Sequence, residues 1–247
     1  MVRGGRRVVW CAVGVLALAG CGQADVPTPA KQRPAFESME DLPEKLGADG
    51  TTIVVGDPDA QVEVHLYEDP RCPYCEQFET SGGGPQLRKA LLDRTATAQY
   101  TLASFLDDRV GGDGSKKAVN ALRAALKEGK FVEYHEVLFL NQPEESVDGY
   151  TDAYLLKLAG QVEGLRSTAF DAAVKSMKYR AFVADAQAAY ERAGGTAEPE
   201  GPGTPTAVIN DKRIPLESNG ILLDGTAFAG LLDQIHARPW EWEATVL

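Results

Sequence analysis

Two cysteines, Cys72 and Cys75, are separated by Pro73 and Tyr74 at the end of the run Gln61-Val-Glu-Val-His-Leu-Tyr-Glu-Asp-Pro-Arg-Cys-Pro-Tyr-Cys75. Paired thiols at this spacing suit thiol–disulfide exchange, in which one thiolate attacks and the other resolves the mixed disulfide. A structural zinc site needs four ligands. The remaining cysteines, Cys11 and Cys21, lie in an N-terminal apolar segment, and His65, His135 and His236 show no paired spacing. A purely structural disulfide closing so short a loop would constrain the unfolded chain little. Redox chemistry is the reading that remains.

Such a pair needs an element to activate one sulfur. Val62, Val64 and Leu66 alternate with Glu63, His65 and Tyr67, which predicts a strand over Gln61 to Tyr67 with one apolar face. A helix is expected to open at the motif and run through Phe78. Cys72 then sits at its N-terminus, where unpaired backbone N–H groups and the macrodipole stabilise a thiolate. Pro73 is tolerated in the first turn because its missing N–H would have had no partner there. Cys75 falls one turn further in, deeper and less exposed. Arg71 is a second candidate to stabilise the thiolate. Glu68 and Asp69 precede the motif; either can serve as a proton relay for the second cysteine or hydrogen-bond the turn. His65 is read as a structural residue on a sheet face.

Chemistry of this kind also needs a compartment. Arg3, Arg6 and Arg7 form a basic start, Val8 to Leu18 an apolar run, and Leu18-Ala19-Gly20-Cys21 ends it. The run is short for a membrane span and fits a secretory signal over residues 1–20. Its ending resembles a bacterial lipobox, which implies a lipid on Cys21 and a membrane attached through that lipid. The Arg6-Arg7 pair hints at twin-arginine export, although its surroundings match that pattern poorly. Loss of residues 1–20 removes three arginines and no acid, moving the formal charge from −11 to −14. So acidic a chain argues against nucleic acid or anionic lipid as partners. Outside the cytosol, a protein whose remaining cysteines are one CxxC pair is expected to act on the thiols or disulfides of other exported proteins. Residues 21–49, rich in Pro, Gln, Ala and acids, read as a flexible linker.

Thr51 to Val55 is β-branched and predicts a strand before the one leading into the motif. Ser81-Gly-Gly-Gly-Pro85 breaks the helix, a second helical piece follows over Gln86 to Arg94, and Thr97 to Phe105 alternates as a strand. Asp107 to Gly114 reads as a polar connection. From there to residue 195 the pattern is helical, including a stripe of Phe131, Tyr134, Val137 and Leu138; His135 beside it reads as a surface or packing residue. Strand character returns at Pro205 to Asn210, a hairpin turn follows at Asn210-Asp211-Lys212, and Gly225 to Ala237 predicts a closing helix.

This order, with Cys72-Pro-Tyr-Cys75 after a strand and Gly203-Thr204-Pro205-Thr206 before a late hairpin, resembles the DsbA-like branch of the thioredoxin superfamily. The resemblance spans roughly residues 50 to 240 and is nearest to lipid-anchored extracytoplasmic bacterial forms. It implies an α/β, thioredoxin-like fold, a central mixed sheet flanked by helices with an all-helical insertion. The core would comprise residues 50–112 and 196–247, and the insertion residues 113–195. The resemblance further implies that the Thr204–Pro205 bond is cis and faces the CxxC, so that Thr204, Pro205, Pro73 and Tyr74 border the substrate. The expected activity is that of a thiol:disulfide oxidoreductase, with Cys72 and Cys75 as the catalytic redox-active disulfide and no metal or organic cofactor. Direction is expected to be disulfide formation, with reduction or isomerisation as the alternative. The rival class is a peptide- or copper-binding protein on the same fold, with His65 as a third copper ligand. A separate redox partner is implied. A monomer is expected, since no dimerisation domain is legible between Cys21 and Thr51.

Overall fold

In the computed structural model, which describes residues 1–2 and 33–245, the strand leading into the CxxC motif lies near the middle of a six-stranded mixed sheet. The strands are β1 (Glu44–Leu46), β2 (Thr52–Gly56), β3 (Val62–Glu68), β4 (Ala96–Leu102), β5 (Thr206–Ile209) and β6 (Lys212–Arg213), in the order β1-β2-β4-β3-β5-β6. β3 is parallel to β4 and antiparallel to β5, with Leu66 opposite Tyr100 on one side and Ala207 on the other. A parallel neighbour requires a crossover. It is supplied by α1 (Pro73–Ser81) and α2 (Gly84–Leu92).

The break between these two helices is a packing feature as well as a stop. A Cβ on Gly83 would come within 2.7 Å of the Phe78 and Phe228 rings, which meet edge-to-face with centroids 5.6 Å apart. Glycine lets the chain pass over that aromatic pair.

Between β4 and β5 lie α3 (Leu106–Val110), α4 (Gly114–Lys127), α5 (Phe131–Leu140), α6 (Asp152–Ala159), α7 (Thr168–Lys175) and α8 (Arg180–Gly194). Thr151 and Ser167 cap α6 and α7 by accepting the backbone N–H three residues on. After β6 come α9 (Gly220–Leu223), α10 (Gly225–Ala237) and α11 (Pro239–Ala244). The turn from β5 to β6 places Asn210 and Asp211 at φ 45° and 64°, as a two-residue hairpin of the primed kind needs.

Several expectations change. Cys21 and residues 3–20 of the expected signal segment lie outside the described residues. The expected linker over 21–49 is ordered in its later part: β1 pairs with β2, and the Glu44 carboxylate accepts the N–H groups of Phe131 and Val132 at the start of α5. Arg94 stacks on Phe36 and reaches Asp57, to which Arg33 also bonds. The composition that reads as linker conceals these long-range partners. The polar connection at 107–114 contains helical turns, and Asp107 in it is buried. Its carboxylate accepts from Arg71 Nη1 and from the backbone N–H groups of Ser115 and Lys116, each at 2.9 Å.

Arg71 is 1% exposed, so Asp107 neutralises a buried charge. Removing one member of a buried pair leaves the other uncompensated, which typically costs about 3–5 kcal/mol. Asp107→Ala is therefore expected to destabilise the domain by roughly that amount, read as a lower urea midpoint at unchanged slope.

Candidate active site

β3 ends at the CxxC motif, and its side-chain alternation decides what lies beneath it. Val62, Val64, Leu66 and Glu68 are buried on one face, whereas His65 and Tyr67 are half-buried on the other. The strand extends one residue beyond the predicted end, and that residue is an acid. His65 bonds Thr101 Oγ1 at 2.8 Å and stacks on Tyr67, which occupies it structurally, away from the role of a third copper ligand.

Asp69 and Arg71 form the turn. Asp69 accepts from the N–H of Arg71 at 2.9 Å, the N–H of Leu106 at 3.1 Å and the Ser115 hydroxyl at 2.6 Å. The Arg71 guanidinium donates to Asp107, Gly111 O and Glu145 O. Arg71 is thus spent on the fold, which corrects its expected role beside the thiolate. Gln142 completes the turn by donating to the carbonyls of Pro70 and Cys72.

Cys72 is the N-cap of α1, in extended conformation, with Pro73 in the first turn. Both cysteines are free thiols; Cys72 is 6% exposed and Cys75 fully buried. The Cys72 thiol pKa is lowered to about 7 by the Cys75 thiol donating to its sulfur, then by the N–H groups of Cys75 and Tyr74, against the opposing effect of burial. At pH 7 roughly half of Cys72 is then thiolate, where an ordinary thiol would be a few per cent at most. Burial, together with its donation to Cys72, holds Cys75 well above the ordinary thiol value. The pair is therefore asymmetric, one sulfur nucleophilic and one held as a thiol.

The Thr204–Pro205 bond is cis, and the Cys72 thiol donates to Thr204 O at 3.3 Å. The loop before it is held from α8. The Tyr190 hydroxyl accepts the Gly203 N–H at 3.1 Å, and a Cβ on Gly201, at φ 101°, would lie 2.2 Å from the Tyr190 ring. Beside this loop runs a groove of about 320 Å³ lined by Tyr74, Pro202, Thr204, Pro205, Leu216 and Leu223. Tyr74 and Leu216 are 59% and 69% exposed, so an apolar surface adjoins the one accessible edge of the redox pair. Pro73, next to Tyr74 in the chain, is exposed.

Beneath the cysteines Glu68 is completely buried, and burial raises its carboxyl to about 8. Glu68 Oε2 bonds His135 Nε2 at 3.0 Å, and the nearby Glu79 carboxyl is also raised by burial, to about 7. Arg88 donates to Glu79 Oε2 at 2.7 Å. Of the two acids singled out in the sequence, Asp69 belongs to the turn and Glu68 to this cluster. Glu79 has no role in the sequence reading, and His135 only that of a surface or packing residue. Their signals are periodic: Glu79 follows Cys75 by one turn on α1, and His135 lies midway between Phe131 and Phe139 at i±4 on the buried stripe of α5. His135 is 3% exposed, so of the surface and packing readings the packing one holds. Among the described residues, Glu68, Glu79 and His135 also bring potential metal-ligating atoms within 4.8 Å of one another. The Arg88 guanidinium already supplies a cation on that side.

A family model described as thioredoxin matches residues 48–221. The chain belongs to the thioredoxin family. Disulfide bond formation protein D of Bacillus subtilis is 32% identical over 108 residues, an alignment that covers 43% of this chain and about half, 46%, of that relative. Oxidised BdbD from Bacillus subtilis superposes with a TM-score of 0.62 at 21% identity, over 83% of this chain and all of BdbD. The thiol-disulfide oxidoreductase MdbA from Corynebacterium diphtheriae gives 0.59 at 21% identity, over 81% and 95%. The α/β fold with a mixed sheet, expected from the sequence, is thus the thioredoxin-like fold of DsbA-type proteins, with α3 to α8 placed between β4 and β5.

In this thioredoxin-family site, thiolate formation on Cys72 governs its reactivity. Alkylation of Cys72 by iodoacetamide is expected to accelerate as pH rises through about 7. Cys75→Ala, which removes the thiol donating to the Cys72 sulfur, should move that midpoint upward by roughly half a unit or more. The midpoint is read from the rate profile or from thiolate absorbance.

Proposed function

We propose that this protein is an extracytoplasmic thiol:disulfide oxidoreductase that forms disulfides in exported proteins through the Cys72–Cys75 pair. The observation that carries the reading is the asymmetry of the pair: a low-pKa thiol at a helix N-terminus over a fully buried partner, beside an apolar groove. The similarity to proteins named for disulfide bond formation and thiol-disulfide oxidation supports it.

In the oxidising direction, a substrate thiolate attacks Cys72 Sγ of the enzyme disulfide. The Cys72–Cys75 bond breaks, and Cys75 leaves as a thiolate that takes up a proton, with Glu68 and Asp69 as the buried acids beside the motif. A second substrate thiolate then attacks its own mixed sulfur, and Cys72 departs as a thiolate. The features that stabilise this thiolate favour the reduced enzyme and hence oxidising power. The disulfide carries both electrons, so no further cofactor enters. The substrate backbone is placed against Thr204 and Pro205, with Pro73 and Tyr74 bordering the groove, in the manner of strand addition.

The lipobox-like Leu18-Ala19-Gly20-Cys21 supports a lipid anchor on Cys21, with cleavage before it and the domain facing outward. No helix among the described residues is long and apolar enough to cross a membrane. A membrane-side partner would reoxidise the pair, and the domain would act as a monomer.

Equilibration with glutathione decides the direction. A reduction potential near that of strong oxidants, about −120 mV, is expected, whereas a value near about −270 mV would overturn disulfide donation in favour of reduction. Cys72→Ser should abolish oxidation of reduced ribonuclease, and activity surviving in that variant would refute the redox reading.

A further inference from the structure

The loop that joins α8 to β5 lines the substrate groove through Pro202, Gly203, Thr204 and Pro205. A second hollow of about 430 Å³ borders the same loop at Pro199 and Glu200, together with Phe105 and Arg109. A loop with open space along it has few apolar contacts to fix its backbone, so polar ties must do so.

Three elements supply them. From α8, the Tyr190 hydroxyl takes the Gly203 N–H at 3.1 Å, and the Tyr190 ring fills the space that a side chain on Gly201 would need. From β6, the Arg213 guanidinium pairs with both carboxylate oxygens of Glu198, and its Nη2 also donates to Pro202 O at 2.9 Å. From α3, Arg109 reaches Glu200 at 3.2 Å. The ties differ in weight. Arg109 and Glu200 are 59% and 83% exposed, and so solvated a pair holds little. Tyr190 is buried, and the two-pronged Arg213–Glu198 pair with its third bond to Pro202 has a single favoured geometry. Arg213 lies on the two-residue edge strand, opposite Val208, so it anchors the loop without being part of the core.

Both strong ties lead to the redox pair. Pro202 and Gly203 immediately precede Thr204, whose carbonyl accepts the Cys72 S–H at 3.3 Å. The Tyr190 ring also stacks on Phe105, centroids 5.2 Å apart, and Phe105 packs on the cluster that holds Cys72 and Cys75.

We propose that Tyr190 and Arg213 are positioning residues for exchange with polypeptides: they fix Pro202 and Gly203, and through them the Thr204 backbone that a substrate strand meets. This rests on the oxidoreductase reading above. A small thiol needs only the sulfur of Cys72. A cysteine within a peptide needs the loop as well, and a loop that must first be ordered weakens binding by the cost of ordering it. Loss of either tie therefore slows peptides selectively.

The test compares two thiols on the oxidised protein. One is a reduced peptide bearing a single cysteine; the other is 2-mercaptoethanol, which has no backbone to pair. Attack of either on Cys72 Sγ releases Cys75, and its thiol is counted by acid quench and labelling in wild type, Tyr190→Phe and Arg213→Gln. The peptide rate constant is expected to fall roughly fivefold or more in both variants, through weaker saturation rather than a lower limiting rate. The 2-mercaptoethanol rate should stay within about twofold of wild type. A peptide rate that also stays within that margin, or an equal loss with both thiols, would overturn the positioning role. Should Tyr190→Phe fail to fold, Arg213→Gln on the edge strand decides by the same criteria. A wild-type protein whose disulfide reacts with neither thiol would instead defeat the oxidoreductase reading itself.

Discussion

The hydrogen bond between Glu68 and His135 closes the floor of the site, and much of the surrounding structure follows from the need to make it. A carboxyl group at the end of a core strand is costly to bury unless it is protonated or hydrogen-bonded. Here it is opposed by a neutral imidazole from one side and a second carboxyl from another, with Arg88 as the nearest cation. That arrangement allows an acid to stay in the core, fully buried. It also separates the sulfurs chemically. Cys72 faces donors at a helix N-terminus, whereas Cys75 faces apolar surroundings and an acid.

The charges around the motif divide into two sets with different tasks. Arg71, Asp107, Asp69 and Ser115 make a buried network that fixes the turn between β3 and α1, and every distance in it is an ordinary hydrogen bond. Glu68, Glu79, His135 and Arg88 make the second, next to the sulfurs. The first set ties the turn to α3 and α4 through Asp107 and Ser115. In the second, burial raises both carboxyls and lowers the imidazole, so each is pushed toward its neutral form. Neighbours in sequence, Glu68 and Asp69, fall into different sets because successive residues at a strand's end point in different directions.

The helices between β4 and β5 contribute to both sets and to the substrate side. α5 supplies His135, α4 supplies Ser115, the stretch after α5 supplies Gln142, and α8 supplies Tyr190, which holds the loop before the cis peptide bond. Seen this way, the insertion is part of the redox site. Its residues reach the motif from 40 to more than 100 positions away in the chain, so the site exists only when the insertion has docked on the sheet.

Local pattern alone determined the strand into a CxxC-bearing helix, the break after Ser81, the helical character between the two sheet segments, and the hairpin at Asn210-Asp211. These features depend on side-chain period, proline and glycine, which act on the residues that carry them. The lipobox-like segment is legible for the same reason. What only the tertiary structure decided is which polar residues meet. The strand continued one residue further than its alternation suggested, and that step carried Glu68 into the core. Arg71 turned from the thiol to Asp107, residues 33–46 were drawn onto the sheet edge and α5, and His135 came to rest against Glu68, 67 positions away. A buried polar group is satisfied by whatever donor or acceptor the packing brings within about 3 Å, and no local pattern encodes that partner.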